Sequence, residues 1–159
     1  MKNLGNNVFY IGVDDTKSDL FESQYIIPEG ISYNSYLIAD MKVAVMDTAD
    51  DVMAEEWKSN LREALNGRQP DYLVVHHMEP DHSALAKWVL DEWPTAKIVA
   101  SAKAIQMLPQ FFEGINLDGR TVVVKEGDLL DLGNHKLRFF AAPMVHWPEV
   151  IVTYDSYDK

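Results

Sequence analysis

Tyr72-Leu73-Val74-Val75-His76-His77-Met78-Glu79-Pro80-Asp81-His82 changes character part-way along. Its first four residues are an apolar run, too short to bury as a helix and suited to an interior strand. The seven that follow hold three of the chain's five histidines and two carboxylates, with no Lys or Arg among them. Pro80 bars a regular ladder within the cluster, so a loop anchored on the buried strand would carry these groups. Imidazoles and carboxylates crowded this closely repel one another or desolvate badly unless a cation neutralises them. The stretch therefore reads as an interior strand ending in a metal-binding loop, with His77, Glu79, Asp81 and His82 as ligands. His76 is expected to face away, because neighbouring side chains on extended backbone alternate. The donor set suits iron, zinc or manganese, and the carboxylates favour the harder ions. Taken by itself, Asp81 also suits the N-cap of a helix starting near Ser83.

Outward from this centre the chain alternates strand and helix. Upstream, Val8 to Val13 is a strand, and Ile31 to Ala39 and Lys42 to Met46 form a hairpin around Asp40-Met41. Thr48 and Asp51 have capping-box spacing, and Met53, Trp57, Leu61 and Leu65 then recur every fourth residue on one helical face. Downstream, Leu85, Trp88 and Val89 mark a second helix that stops before Pro94. Lys97 to Ala100 is a strand, and Ser101 caps a third helix with Ile105, Leu108 and Phe112, which Pro109 should kink or shorten. The last third returns to strands: Thr121 to Val124, Leu129 to Leu132, a Gly133-Asn134 turn, His135 to Ala141 with Leu137 and Phe139 on one face, and Val150 to Tyr154. Asp155-Ser156-Tyr157-Asp158 resembles a hairpin turn. The order predicts an α/β (α+β) fold in which helices pack against a mixed sheet.

A second candidate ligand lies far from the first group in sequence. His146 stands in Pro143-Met144-Val145-His146-Trp147-Pro148-Glu149, where two prolines and a tryptophan fix a loop between strands. A donor from a distant strand end is what closing a site between elements requires. His135, beside the Gly133-Asn134 turn, reads as a surface residue, and the scattered methionines read as core filler.

Composition narrows the function. The 159 residues carry 25 acidic and 14 basic side chains, a formal charge of −11, which repels phosphate backbones and anionic headgroups; neither nucleic acid nor membrane is an expected partner. With no cysteine, disulfides, Cys-ligated zinc, iron–sulfur clusters and thiol nucleophiles are all excluded. No run approaches the roughly 20 apolar residues of a membrane span, and the first residues lack the apolar stretch of a signal peptide, so a cytoplasmic location is expected. No Gly-x-Ser-x-Gly elbow, Gly-x-Gly-x-x-Gly or phosphate-binding Lys loop occurs, which sets aside acyl-serine chemistry and nucleotide binding.

The order His77-x-Glu79-x-Asp81-His82, with His146 in a His-Trp-Pro context some way downstream, resembles the diiron domain of the flavodiiron proteins, within the metallo-β-lactamase superfamily. Most hydrolases of that superfamily carry a histidine where Glu79 stands. Ser32-Tyr33-Asn34-Ser35-Tyr36-Leu37-Ile38 is similar to the family's early hairpin, so the resemblance runs from about Val8 onward. It implies the first half of a metallo-β-lactamase-like αββα sandwich, with a mixed sheet and helices on one face. It also implies that His77, Glu79 and His146 ligate one iron and that Asp81 and His82 belong to a second. A bridging aspartate would be expected a few residues beyond Lys159, and a further histidine beyond that. The family's flavodoxin domain, whose FMN feeds electrons to the irons, lies outside these residues and would be a partner. Such proteins reduce dioxygen to water or nitric oxide to nitrous oxide.

Half a sandwich leaves one face uncovered and Val150 to Tyr154 as an unpaired edge. A homo-oligomer, or a separately made C-terminal half-domain, is the expected cover. Beside the oxidoreductase reading stand two others: a metal-binding remnant without turnover, and a zinc-dependent hydrolase.

Overall fold

The computed structural model describes residues 1–21 and 23–157. In chain order the elements are β1 (Lys2–Gly5), β2 (Val8–Tyr10), β3 (Val13–Asp15), β4 (Leu20–Phe21), β5 (Tyr25–Ile26), β6 (Ile31–Tyr33), β7 (Tyr36–Ala39), β8 (Val43–Met46), a 3-10 turn (Asp51–Met53), α1 (Ala54–Leu65), β9 (Tyr72–Val74), α2 (Pro80–Ser83), α3 (Ala86–Glu92), β10 (Lys97–Ser101), α4 (Ala102–Phe111), β11 (Thr121–Val124), β12 (Leu129–Asp131), β13 (Lys136–Ala141) and β14 (Ile151–Asp155). The main sheet has the order β1-β2-β7-β8-β9-β10-β11. Its first half is antiparallel and the strands from β8 to β11 run parallel, so it is a mixed sheet. A second sheet, β12-β13-β14, is antiparallel.

Alternation along the strands sends the two faces of the main sheet to different partners. Leu37, Val45, Leu73 and Ile98 pack under the helices with Trp57, Leu61, Leu90 and Leu108. Ile38, Ala44, Met46, Val74 and Val99 point the other way, onto Leu130, Leu137, Phe139 and Ile151 of the small sheet. The fold is thus helix, sheet, sheet: a metallo-β-lactamase-like arrangement whose second layer has three strands among the described residues. The small sheet covers part of the face expected to be bare. Among the described residues β14 pairs only with β13, and Val152 and Tyr154 on it are exposed. No described helix is long and apolar enough to cross a membrane.

Several local expectations are revised. The strand expected over Val8–Val13 divides at Ile11-Gly12, and that over Ile31–Ala39 divides at Asn34-Ser35, where the Ile11 N–H donates to the Ser35 carbonyl. Beyond the break β3 and β6 pair in a small sheet of their own. Gly12 permits it, because a Cβ there would collide with the Tyr33 carbonyl oxygen. The capping box at Thr48 does not form. Asp50 caps the 3-10 turn by accepting from the Val52 N–H, while the Thr48 hydroxyl reaches across the chain to His82 and Leu85. Helix α4 passes through Pro109 and ends at Phe111, capped by Ser101 as expected. Part of the turn foreseen at Asp155–Asp158 lies outside the described residues.

Candidate metal centre

Parallel strands leave their carboxyl ends on one edge, and the loops that emerge there form the usual binding crevice of such sheets. Here β8 delivers Asp47 to that edge, β9 delivers His76 to His82, and β10 delivers Ser101. The loop after β13 brings His146 and Glu149 over the same place. A cleft of about 470 Å³ opens there, lined by Asp47, His76, His77, Glu79, His82 and His146 among others.

The two adjacent histidines separate as extended backbone requires. His76 turns to Asp47, with Nδ1 3.0 Å from Oδ2, and to the Thr153 hydroxyl, 2.7 Å from Nε2. His77 turns to the other face. Its Nδ1 lies 2.7 Å from Glu149 Oε1, and its Nε2 lies 2.9 Å from Glu79 Oε2 and 3.3 Å from His146 Nε2. His146 Nε2 and Glu79 Oε2 are also 2.9 Å apart. Among the described residues, His77, Glu79 and His146 form one group of donors whose atoms all fall within 4.8 Å of one another. The Trp147 and His77 rings meet edge to face, 4.9 Å between centroids and 88° between planes.

Glu79 occupies the N-cap position of the short helix α2, yet its side chain makes no capping hydrogen bond. Pro80 at the start of α2 has no N–H to be capped, and the buried carboxylate is left to face the two imidazoles. Asp81 lies within α2 and does not cap a helix beginning near Ser83. Its Oδ1 is buried without a hydrogen-bond partner among the described residues, and its Oδ2 lies 3.5 Å from His82 Nε2. Asp81 and His82 therefore sit beside the trio as a second, looser pair.

The electrostatics follow from burial and from Asp47. Its carboxylate accepts from the His76 backbone N–H, the His76 ring and His82 Nδ1. Burial pushes its pKa up, but the two imidazoles outweigh that and hold it far below the usual range. Burial likewise pulls His82 down, but the hydrogen bond and charge of Asp47, with Asp81 and Glu79, lift it to about 9. Burial raises the Asp81 carboxyl above its ordinary value, only partly offset by His82.

The donors suit a transition ion. Cis donors at bond lengths of about 2.1 Å are separated by roughly 3.0 Å, close to the sides of the observed triangle. Two imidazoles and one carboxylate on one face is the donor set of non-haem iron, with positions left open opposite. Asp81 Oδ1, buried without a hydrogen-bond partner among the described residues, is a further candidate donor oxygen.

Two residues at this edge were absent from the sequence reading: Asp47 and Glu149. Asp47 does end an apolar run, Val43-Ala44-Val45-Met46, and a carboxylate closing an interior strand is an available cue. Glu149, three positions after His146, carried no cue of its own. His135, expected at the surface, is fully buried. The β12–β13 turn places its Nδ1 on Asp155, its Nε2 on the Asn6 carbonyl and its N–H on Asp40.

Comparison with known proteins adds the relatives. A family model described as ODP family beta lactamase matches residues 31–159. "Diflavin flavoprotein A 1" of Synechocystis sp. is 37% identical over 153 residues, covering 96% of this chain and 26% of that protein. "Anaerobic nitric oxide reductase flavorubredoxin" of Salmonella arizonae is 35% identical over 155 residues, covering 96% of this chain and 32% of that one. Among solved structures, rubredoxin oxygen:oxidoreductase from Desulfovibrio gigas superposes with a TM-score of 0.89 at 26% identity, over 98% of this chain and 38% of the other. The chain thus spans about a quarter to two-fifths of the length of these proteins.

Proposed function

The chain belongs to the family described as ODP family beta lactamase, and from that premise we propose that residues 1–159 are a partial metallo-β-lactamase-like diiron domain. It is the iron-binding part of a flavodiiron-type oxidoreductase that reduces dioxygen to water or nitric oxide to nitrous oxide. His77, Glu79 and His146 hold one iron, and Asp81 and His82 offer donors to a second. Ferrous ions with open coordination positions, when bound, supply the point where the gas binds and the electrons it receives.

The chain's own residues prepare that site. Glu79 stands between two imidazoles with its carboxylate shielded from water. Trp147 walls one side of His77. Asp47 accepts the Nδ1 hydrogen of His82, which turns His82 Nε2 toward Asp81 and the cleft. Electrons come from FMN carried by a flavodoxin-like partner. A homo-oligomer or a separate C-terminal half-domain covers the free edge of β14.

The observation that carries this reading is the convergence of His77 Nε2, Glu79 Oε2 and His146 Nε2 within about one coordination sphere. Metal analysis of protein prepared with ferrous iron and zinc both available tests it. Near two irons per chain supports the oxidoreductase; one, without turnover, supports a metal-binding remnant. Zinc with thioester or lactam hydrolysis supports a hydrolase, against which the carboxylate of Glu79 in the trio speaks.

A further inference from the structure

Glu149 is a carboxylate that the proposed chemistry does not use, and its surroundings are unusual. Its side chain has no exposure to solvent. Oε1 accepts from His77 Nδ1 at 2.7 Å and from the Met78 N–H at 2.9 Å. Oε2 is buried and has no hydrogen-bond partner among the described residues. Among the described residues no Lys or Arg pairs with it, and its one ion-pair partner is His77. The Glu149 carbonyl is in turn held by the Ser101 hydroxyl at 2.8 Å, and Ser101 also caps α4. The residue therefore rests on the fixed junction of β10 and α4, not on the exposed part of its own loop.

A buried anion of this kind is costly unless positive charge lies near it. Among the described residues, the His77 ring is the group through which positive charge can reach it. With the proton of His77 on Nδ1, pointing at Glu149, the lone pair of Nε2 is directed at Glu79 and His146. A carboxylate behind a ligating imidazole fixes its tautomer and raises its basicity. Glu149 also belongs to the segment that carries His146, so one side chain joins two loops 72 residues apart in sequence.

We propose that Glu149 is a positioning residue: it orients His77 through Nδ1 and locks the His77 loop to the His146 loop, so that the three metal donors meet. The inference rests on the metal-binding reading of His77, Glu79 and His146.

The test uses cobalt(II) as a visible probe of the site, titrated against a chelator into the wild-type chain, Glu79→Ala and Glu149→Gln. Glu149→Gln keeps the shape and an acceptor for His77 but removes the charge. Provided its circular dichroism matches wild type, it should bind cobalt about 10–100-fold more weakly, with shifted d–d absorption bands. A folded Glu149→Gln variant with wild-type affinity and bands overturns the inference, while Glu79→Ala still losing metal leaves the functional reading intact. A wild-type chain that takes up no cobalt or iron overturns both. A second measurement needs no variant: in the zinc-loaded wild type, nitrogen NMR of His77 should show the proton on Nδ1 and the metal on Nε2. The reverse tautomer overturns the proposal.

Discussion

His77 and His135 are both buried, and each has both ring nitrogens within hydrogen-bond distance of an acceptor, yet their surroundings differ in kind. His135 lies between the Asp155 carboxylate and the Asn6 carbonyl, with Tyr157 against its ring. Both ring nitrogens face oxygen acceptors, an arrangement that favours the doubly protonated ring. Its lone pairs are spent. His77 has one nitrogen anchored on Glu149, while the other meets a carboxylate and a second imidazole at the wall of a cleft. Donor atoms that converge on one point invite an ion; a ring with its donors already matched acts as a structural clamp.

Substitution should separate the two. The largest effect is expected at the trio: Glu79→Ala should abolish most iron uptake, a loss beyond the about 10–100-fold characteristic of partners behind a ligand. Iron content by plasma emission spectroscopy measures this, and unchanged content would remove Glu79 from the ligand set. His135→Gln should do the opposite, leaving metal affinity near wild type while lowering stability by on the order of 1–3 kcal/mol, because the partly buried Asp155 carboxylate loses its imidazole partner. Urea denaturation of both proteins in parallel tests whether binding and stability separate in this way.

The clamp should also have a pH signature. Burial pulls the His135 pKa down, but its hydrogen bonds to Asp155 and the Asn6 carbonyl, with the charges of Asp155 and Asp40, raise it overall. The folded-state value thus exceeds that of the unfolded chain, about 6.5. The stabilisation is complete below that unfolded value and is lost as pH rises through the higher folded one. The stability difference between wild type and His135→Gln should therefore shrink toward alkaline pH. A difference that grows with pH would contradict a charged His135.

The smallest expected effect lies at the free edge of β14. Val152 is about half exposed there, so Val152→Lys should change chain stability by less than about 0.5 kcal/mol. It should nevertheless weaken association with a covering chain, since an edge lysine discourages strand addition. Size-exclusion chromatography with light scattering reads this out. A wild-type chain that is a well-folded monomer at micromolar concentration would dispose of the covering partner.

Much of the architecture was legible from residue order, because its causes are local. The apolar run Tyr72–Val75, the stripe of Trp57, Leu61 and Leu65, and the alternation of Leu137 and Phe139 each follow from the period of one element. So did the opposite facing of His76 and His77, which needs only extended backbone. The break at Gly12 was not legible, since it answers to the Tyr33 carbonyl, a contact made only when β3 and β6 pair. The burial of His135 depends on Asn6, Asp40 and Asp155, which come from three separate turns and strand ends.

By itself, then, the sequence determined most of the elements, the mixed α/β class and a candidate set of donor residues, because periodicity and side-chain type act over a few neighbouring residues. The tertiary structure alone decided which carboxylate stands behind which imidazole: Asp47 behind His76 and His82, Glu149 behind His77, Asp155 behind His135. Those pairings are set by where parallel strands end and how the loops above them pack, and a contact spanning tens of residues leaves no periodic trace along the chain.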